Sequence, residues 1–527
     1  MTRQKLSSRH GSPLRIPAAI LALALIVLAW WQLTAPGREL LIRQDRVARP
    51  DRAALPVSYV VHPGEGAAEA APARRRPGVL VAHGFGASRR MMMGYAYTLA
   101  FQGYAVVLWD FAGHAGNAGR LDDSREVLQD DVDAALDYLL SQPEVDPERL
   151  AIVGHSMGSG AAMQAGIRLP GRFDAVVALS PTGAPVTDAL PRNLLLQAGS
   201  WEQRFLANAR DLLGRAGGAD TTPAAFAAGR ARDLVEIPRA EHITVLYRHA
   251  SQQAVLDWMN ATFRPDRISP TGSAGAAGAY RDRRALYVAL QFLGFVVLAF
   301  ALRPLLRRAA GTGPAHSAAR APAQPRRGWW LVMITAPFAA TGLLAAAGAL
   351  AEISEIGGML VGGALALWFA AYGLLWLLLG TRPAGPSGRS ILVGVGVFAF
   401  LWVALGLGTQ QLALQWLLIP YRLLRWPLAA LLALPYLLAA AELQTGAGAG
   451  RRVALYLGQT LPVVGALALA GLSVPGFYIL VLMIPALPLV FLATSLTAGL
   501  LDEPWGAALG NAAFFGWLLV SLFPLAG

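Results

Sequence analysis

Apolar residues are segregated along this chain in a way that leaves few architectures open. Leu14 to Leu33 is one apolar stretch, Ala35 to Arg284 reads as ordinary globular sequence, and almost everything from Ala285 onward is apolar. Runs close to the roughly 20 residues that cross about 30 Å of hydrocarbon occur at Ala285–Leu302, Trp329–Leu350, Gly357–Leu379, Ile391–Leu407, Trp426–Ala441, Val453–Leu472, Pro475–Ala498 and Ala508–Leu525. With the first stretch they predict about nine spans, and hence a multi-pass integral membrane protein with one globular domain between its first two spans. A 527-residue chain that is 55% hydrophobic and 14% charged fits that class.

Basic residues near the ends of spans set orientation. The tail carrying Arg3, Lys5, Arg9 and Arg15 and the region of Arg303, Arg307, Arg308, Arg320, Arg326 and Arg327 are expected on the cytoplasmic side of a cell inner membrane. The loop around Glu352 and Glu355 lacks basic residues and the next one holds Arg382 and Arg389, so the alternation continues. The globular domain is then extracytoplasmic. Trp30 and Trp31 at the outer end of the first stretch, with no obvious A-x-A site just after it, favour an uncleaved anchor over a cleaved signal peptide. Arg422 and Arg425 fit the alternation poorly, which makes Leu412–Ile419 an interfacial or re-entrant piece. The expected division is a tail and anchor over 1–34, a catalytic domain over 35–264, a linker over 265–284 and a helical membrane domain of about eight spans over 285–527. This bias accounts for much of the formal charge of +12, which without an aromatic-interleaved basic patch does not imply nucleic acid.

Chemistry narrows by elimination. The chain has no cysteine and its only lysine is Lys5, which excludes thiol nucleophiles, zinc-thiolate sites, Ser-Lys dyads and a Walker A loop. Gly154-His155-Ser156-Met157-Gly158 lies between a strand-like run, Leu150–Val153, and a small-residue helical run, Ser159–Ile167. A G-x-S-x-G pentapeptide in that context presents a serine at a sharp strand-to-helix turn, with helix amides aimed at the reacting centre. A serine needs a neighbouring base, and the chain has eight histidines.

Short apolar runs alternate with amphipathic ones through the globular region. Strands are predicted at Gly78–Ala82, Tyr104–Trp109, Arg149–Val153, Ala175–Leu179, Asn193–Gln197 and Asp233–Ile237, and helices at Ser88–Phe101, Ser124–Ser141, Ser156–Arg168 and Ser251–Phe263. Leu40–Val47 and Pro56–Val61 read as an antiparallel start. Three segments, Val79-Leu80-Val81-Ala82-His83-Gly84-Phe85-Gly86, Val106-Val107-Leu108-Trp109-Asp110-Phe111-Ala112-Gly113-His114 and the Ser156 turn, give this region, roughly Val57 to Phe263, a pattern that resembles the α/β-hydrolase family. One departure is Ala115-Gly116-Asn117, where many members read Gly-x-Ser.

The resemblance implies a mostly parallel sheet flanked by helices and the chain order serine, acid, histidine. Among the histidines after Ser156, His316 falls in the arginine-rich cytoplasmic loop. His242 follows the last predicted strand and is preferred, while His249 is the alternative base and gains if Ile243–Tyr247 is itself the last strand. The family's Gly-x-x-Asp turn is matched by Gly199-Ser200-Trp201-Glu202, so Glu202 is the expected acid, with Asp188 or Asp211 as substitutes. The oxyanion hole implied is the pair of backbone amides of Phe85 and Met157, and His83 and His155 are expected to pack beneath these loops. No metal or cofactor is implied.

The reading is a membrane-anchored serine hydrolase that cleaves an ester, of a small molecule or a lipid, through an acyl-enzyme. Little room separates Leu179 from Asn193 for a cap, and Arg204–Ala231 offers only a small insertion. A peptidase or amidase of the same mechanism is one alternative. A hydrolase-like domain accessory to a membrane transport or sensing module is another, with Glu442 as the main ionisable residue near a span.

Overall fold

The computed structural model describes residues 14–63, 75–122, 126–264, 280–311, 326–380, 383 and 385–526. The N-terminal basic tail, most of the expected linker, Arg320 and His316 lie outside them. The chain divides into two compact units, each treated separately below.

One unit comprises Thr34–Ala285 with Gln410–Ile419 and Ser521–Gly527. Its sheet has eight strands: β1 (Leu41–Arg49), β2 (Arg52–Val61), β3 (Arg76–Ala82), β4 (Ala105–Trp109), β5 (Val145–His155), β6 (Ala175–Leu179), β7 (Leu194–Gly199) and β8 (Arg232–Ile237). They lie in the order β1-β2-β4-β3-β5-β6-β7-β8. β1 and β2 pair antiparallel, β2 joins β4 antiparallel, and every other pairing is parallel. Every residue of β4 and β6 is buried, as expected of parallel strands covered on both faces, and this is why they read as unbroken apolar runs. β1 is an edge strand and alternates exposed with half-buried residues. Its Arg43, Gln44, Asp45 and Arg46 blunt an edge that would otherwise template further pairing.

Helices Met93–Ala100, Glu126–Leu140, Met157–Arg168 and His249–Phe263 cover the sheet. Ile243–Tyr247 does not form a strand; Thr244–Tyr247 is a short 3-10 turn, so β8 closes the sheet. The insertion after Glu202 folds as helices Gln203–Arg215 and Pro223–Ala227.

Two segments far along the chain complete this unit. Residues 410–419 carry no strand and no helix, and three of their carbonyls accept from side chains of Thr34–Ala285. The Ser88 hydroxyl donates to Ala413 O, the Tyr247 hydroxyl to Leu412 O at 3.3 Å, and Arg284 Nη1 to Gln411 O at 2.9 Å. Arg284 is itself buried, paired with Asp282 at 2.6 Å, and donates from the same Nη1 to Arg90 O. The segment read from sequence as interfacial or re-entrant therefore covers protein surface. Leu121, in the loop after β4, and Ala526 form an isolated parallel bridge.

The second unit is helical. Among the described residues nine helices are long and apolar enough to cross a membrane: Arg15–Leu33, Arg284–Ala309, Trp329–Leu350, Gly362–Gly380, Gly388–Leu407, Pro420–Gln444, Ala449–Ser473, Ile479–Leu501 and Pro504–Leu522. These helices support membrane association of the chain. Close approach depends on glycine: a Cβ on Gly373 would stand 2.0 Å from Tyr436 N. The rings of Phe369, Tyr372, Trp376 and Tyr436 pack against one another at that crossing, with Tyr372 and Trp376 stacked at 5.5 Å.

Candidate active site

β5 ends at His155, the backbone turns at Ser156 with φ +53° and ψ −118°, and the next helix begins at Met157. A left-handed φ is costly for a residue with a side chain, by about 1–3 kcal/mol, and persists only where the surroundings enforce it. Here they do. A Cβ on Gly154 would lie 2.0 Å from Gly158 O, and one on Gly158 would lie 2.5 Å from His83 O. No other residue fits either position, so the two glycines let strand, helix and the loop after β3 converge on the serine. Ser156 N donates to Leu179 O at 2.9 Å, and Ser156 O accepts from the amide and hydroxyl of Ser159 at 2.8 and 2.5 Å.

The loop after β8 carries His242, and the turn after β7 carries Glu202. They meet because the chain at Ala240 lies against Gly199, where a Cβ would stand 2.3 Å from Ala240 O. The same carbonyl accepts from Trp201 N at 3.0 Å, and Ser200 N donates to Ile237 O. The result is a relay of three side chains. His242 Nε2 lies 3.1 Å from Ser156 Oγ, and His242 Nδ1 lies 2.8 Å from Glu202 Oε2. The other carboxylate oxygen, Glu202 Oε1, accepts from Gly199 N at 2.5 Å and from Ser180 Oγ at 2.7 Å.

Burial dominates the electrostatics. His242 is 3% exposed and Ser156 9%. Desolvation pushes the His242 imidazolium down to about 4, with a small opposing effect of Glu241, so the ring is a free base at neutral pH. Burial raises Glu202, and the bonds from Gly199 and Ser180 work against that rise by favouring the carboxylate. Phe205 stacks on the His242 ring at 4.2 Å, and His155 lies against it at 4.7 Å. His155 Nε2 donates to His242 O at 3.0 Å, fixing the loop, and burial holds its ring neutral with a value near 3.

Gly84 brings the loop after β3 against the serine, since a Cβ there would stand 2.9 Å from His155 Nδ1 and 3.1 Å from Ser156 Cβ. Phe85 follows it. Met157 is the first helical residue, so its amide has no acceptor within the helix. His83 supports the loop from below, with its Nδ1 2.8 Å from Gly84 O and its Nε2 accepting from Phe111 N at 3.0 Å.

The remaining sequence candidates lie elsewhere. His249 heads the closing helix, Asp188 is exposed, and Asp211 is exposed and paired with Arg215 at 2.9 Å. Three contributors were not foreseen: Ser180 on the acid, Phe205 on the base, and Ser159 on the serine's carbonyl. Ser180 had a faint signal, as the residue that follows β6 beside the nucleophile strand. Phe205 had none, because its ring reaches His242 through tertiary folding.

Residues 73–226 match the family model described as serine aminopeptidase, S33. This part of the chain is an α/β-hydrolase. The chain is similar to the uncharacterized protein Rv2307c of Mycobacterium tuberculosis, 37% identical over 94 residues that make up 18% of this chain and 33% of that one. It is also similar to the quorum-quenching protein AidA of Acinetobacter baumannii, 35% identical over 88 residues, 16% of this chain and 29% of that one. The matches thus span about a third of these relatives' length. Among solved structures, a dienelactone hydrolase from Anabaena variabilis aligns over 41% of this chain and 94% of its own at 23% identity and TM-score 0.30. A 2-hydroxy-6-oxo-6-phenylhexa-2,4-dienoate hydrolase from a Rhodococcus strain aligns over 42% and 99% at 14% identity and TM-score 0.33. The hydrolase also has a buried Arg89–Asp110 pair under the variant Ala115-Gly116-Asn117 loop, with Gly116 N donating to Asp110 at 3.1 Å.

Proposed function

We propose that the chain is a membrane-anchored serine hydrolase acting on an ester through Ser156, His242 and Glu202. The observation that carries this reading is the unbroken relay from Ser156 Oγ through both nitrogens of His242 to Glu202 Oε2, at 3.1 and 2.8 Å. His242 Nε2 takes the hydroxyl proton as Ser156 Oγ bonds to the carbonyl carbon and the carbonyl electron pair moves to oxygen. The amides of Phe85 and Met157 stabilise that oxyanion, a contribution of about 10²–10³ in rate for one donor. Collapse breaks the bond to the leaving alkoxide, which takes the proton from His242. Water then repeats the sequence and releases the acid. Glu202 keeps Nδ1 protonated and stabilises the transient imidazolium.

Phe205 over the base and the exposed Trp201 beside the acid give the mouth an apolar character that favours acyl esters, including those of lipids. The arginine-rich ends of the apolar segments favour an extracytoplasmic hydrolase domain. Two experiments test this. A fluorophosphonate should label the folded protein and fail on Ser156→Ala, and p-nitrophenyl esters of increasing chain length should be cleaved faster as the acyl chain grows. An unlabelled, folded wild type would remove the enzyme reading. A flat chain-length response would remove the lipid one alone.

The matched family's description, a serine aminopeptidase, favours a second reading in which the same relay cleaves a peptide amide. Aminoacyl p-nitroanilides cleaved faster than the esters would establish it in place of the first.

A further inference from the structure

Within the helical unit a cavity of about 540 Å³ opens among helices Arg284–Ala309, Gly388–Leu401 and Leu487–Leu501. Its size is in the range of sites that hold small amphiphilic ligands. Leu306, Leu392, Val397, Phe400 and Leu500 form apolar walls, and Arg308 and Arg389 stand at one end. The space persists for a reason visible in the packing. On one face Gly394 holds helix Gly388–Leu401 tightly against Pro504–Leu522, where a Cβ would stand 2.9 Å from Leu509 Cβ, whereas a Cβ on Gly396 would meet nothing within 4 Å.

Charge accumulates at the same end. Arg303 donates to Leu500 O at 3.2 Å and Gly499 O at 3.3 Å, and Arg307 donates to Leu500 O at 3.2 Å. Those bonds satisfy carbonyls that the end of helix Leu487–Leu501 leaves without partners. Asp502 pairs with Arg307 and, at 3.8 Å, with Arg452. Glu503 is buried and engaged by Ser390 Oγ at 3.0 Å and by Gly506 N. Five guanidiniums thus gather around two committed carboxylates, and among the described residues Arg308 and Arg389 reach no carboxylate at all. Both are exposed, and Arg389 has only a long bond, 3.4 Å, to Gly311 O.

We propose that this cavity is a binding site for an anionic phospholipid of the surrounding bilayer, with its phosphate on Arg308 and Arg389 and one acyl chain between the helices. A guanidinium binds phosphate through two parallel N–H donors, and basic pockets between membrane helices suit acidic head groups. An apolar ligand alone leaves the arginines unanswered. A free anion leaves the apolar walls bare. The site is independent of Ser156 chemistry.

The test uses the full-length protein in phosphatidylcholine nanodiscs with and without phosphatidylglycerol. Retained lipid is read by native mass spectrometry and thermal stability by intrinsic fluorescence. Phosphatidylglycerol should be retained and should raise Tm, and the Arg308→Gln/Arg389→Gln variant should bind it roughly tenfold more weakly. Gly396→Leu, which fills the cavity and spares the arginines, should lose retention too. Circular dichroism should show wild-type helical content in both variants and reports that each is folded. Equal retention of phosphatidylcholine, or undiminished phosphatidylglycerol binding by folded variants, overturns the proposal. So does inorganic phosphate that raises Tm as much as the lipid does, since that outcome assigns a free-anion site.

Discussion

The main chain of Leu525 clasps the loop after β4: its amide donates to Gly113 O at 2.9 Å, and its carbonyl accepts from Leu121 N at 3.1 Å. Leu522 O also lies 3.7 Å from where a Cβ on Gly86 would stand, beside the proposed oxyanion amide of Phe85. The mouth of the hydrolase is therefore shaped by residues 521–526 as well as by its own loops. A chain ending at residue 520 should keep the sheet but lose much of its kcat/KM. Gly113→Ala should act in the same direction, because Gly113 sits at φ +75° and a Cβ would fall 2.7 Å from Leu525 O. Ester hydrolysis by the full chain, the truncated chain and the variant checks this, with unchanged kcat/KM as the contrary result.

Glu202 and Ser180 should separate in size of effect. Glu202→Gln presents an amide to Nδ1 and favours the wrong tautomer of His242, a change worth about 10⁴ in kcat where a triad carboxylate is converted to an amide. Ser180→Ala removes one of several bonds to the same carboxylate, so the loss should be about tenfold or less. Steady-state kinetics on a soluble ester distinguishes them, and equal losses would contradict the carboxylate's assigned role.

Acid should inactivate the enzyme late. On the proposed mechanism the base form of His242 is the active one, and protonation removes it. Because burial holds that ring near 4 rather than at its ordinary 6.5, kcat/KM should stay level from neutral pH well into the acid range and fall only as pH approaches 4. A midpoint at the ordinary histidine value would contradict the burial account.

Stability should respond sooner than activity. His155 and His242 are neutral in the folded state, with values near 3 and 4, while the unfolded chain protonates them near 6.5. His83 is shifted the same way by burial. The unfolded state thus binds more protons as pH drops below that value, and His155 and His242 each remove about 1.4 kcal/mol of stability per pH unit. Asp131, raised by burial from 3.8 to about 6, works oppositely between those values and cancels part of the loss. Tm should therefore decline between pH 6.5 and 4. His155→Gln, whose amide can still donate to His242 O, should make the decline shallower by about one proton's worth.

Arg89 is 7% exposed beside the fully buried Asp110, whose carboxylate also accepts from Arg89 N at 2.9 Å. Arg89→Met leaves that charge buried without its partner and should cost about 3–5 kcal/mol. Urea unfolding of the purified protein checks it, and a change below about 1 kcal/mol would show the pair to be dispensable.

What could be read from sequence follows from where each signal is local. β3, β4 and β6 are short apolar runs bounded by turns, so their presence was plain. β5 begins earlier than expected, at Val145, because Val145 and Asp146 pair with Arg76 and Pro77, and nothing in so polar a stretch announces a strand. Glu202 was named because Gly199-Ser200-Trp201-Glu202 resembles the family's Gly-x-x-Asp turn, and His242 because it follows the last predicted strand; the two side chains lie 2.8 Å apart, with His242 3.1 Å from Ser156. Residues 410–419 and 521–526 were not legible as parts of the hydrolase. Hydropathy reports that a segment avoids water, and it does not say whether protein or lipid provides the shelter. Arg89 was equally silent, since an arginine opening a helical turn reads as solvated until the fold places Asp110 beside it.

The clasp at Leu525 also imposes an order on biogenesis. A ribosome completes the eight strands long before it reaches the residues that finish the catalytic mouth, and N-terminal domains fold as they emerge. The nascent protein therefore passes through a stage with its nucleophile formed and its entrance unfinished. On the proposed mechanism, hydrolytic competence is postponed until helix Pro504–Leu522 has been made.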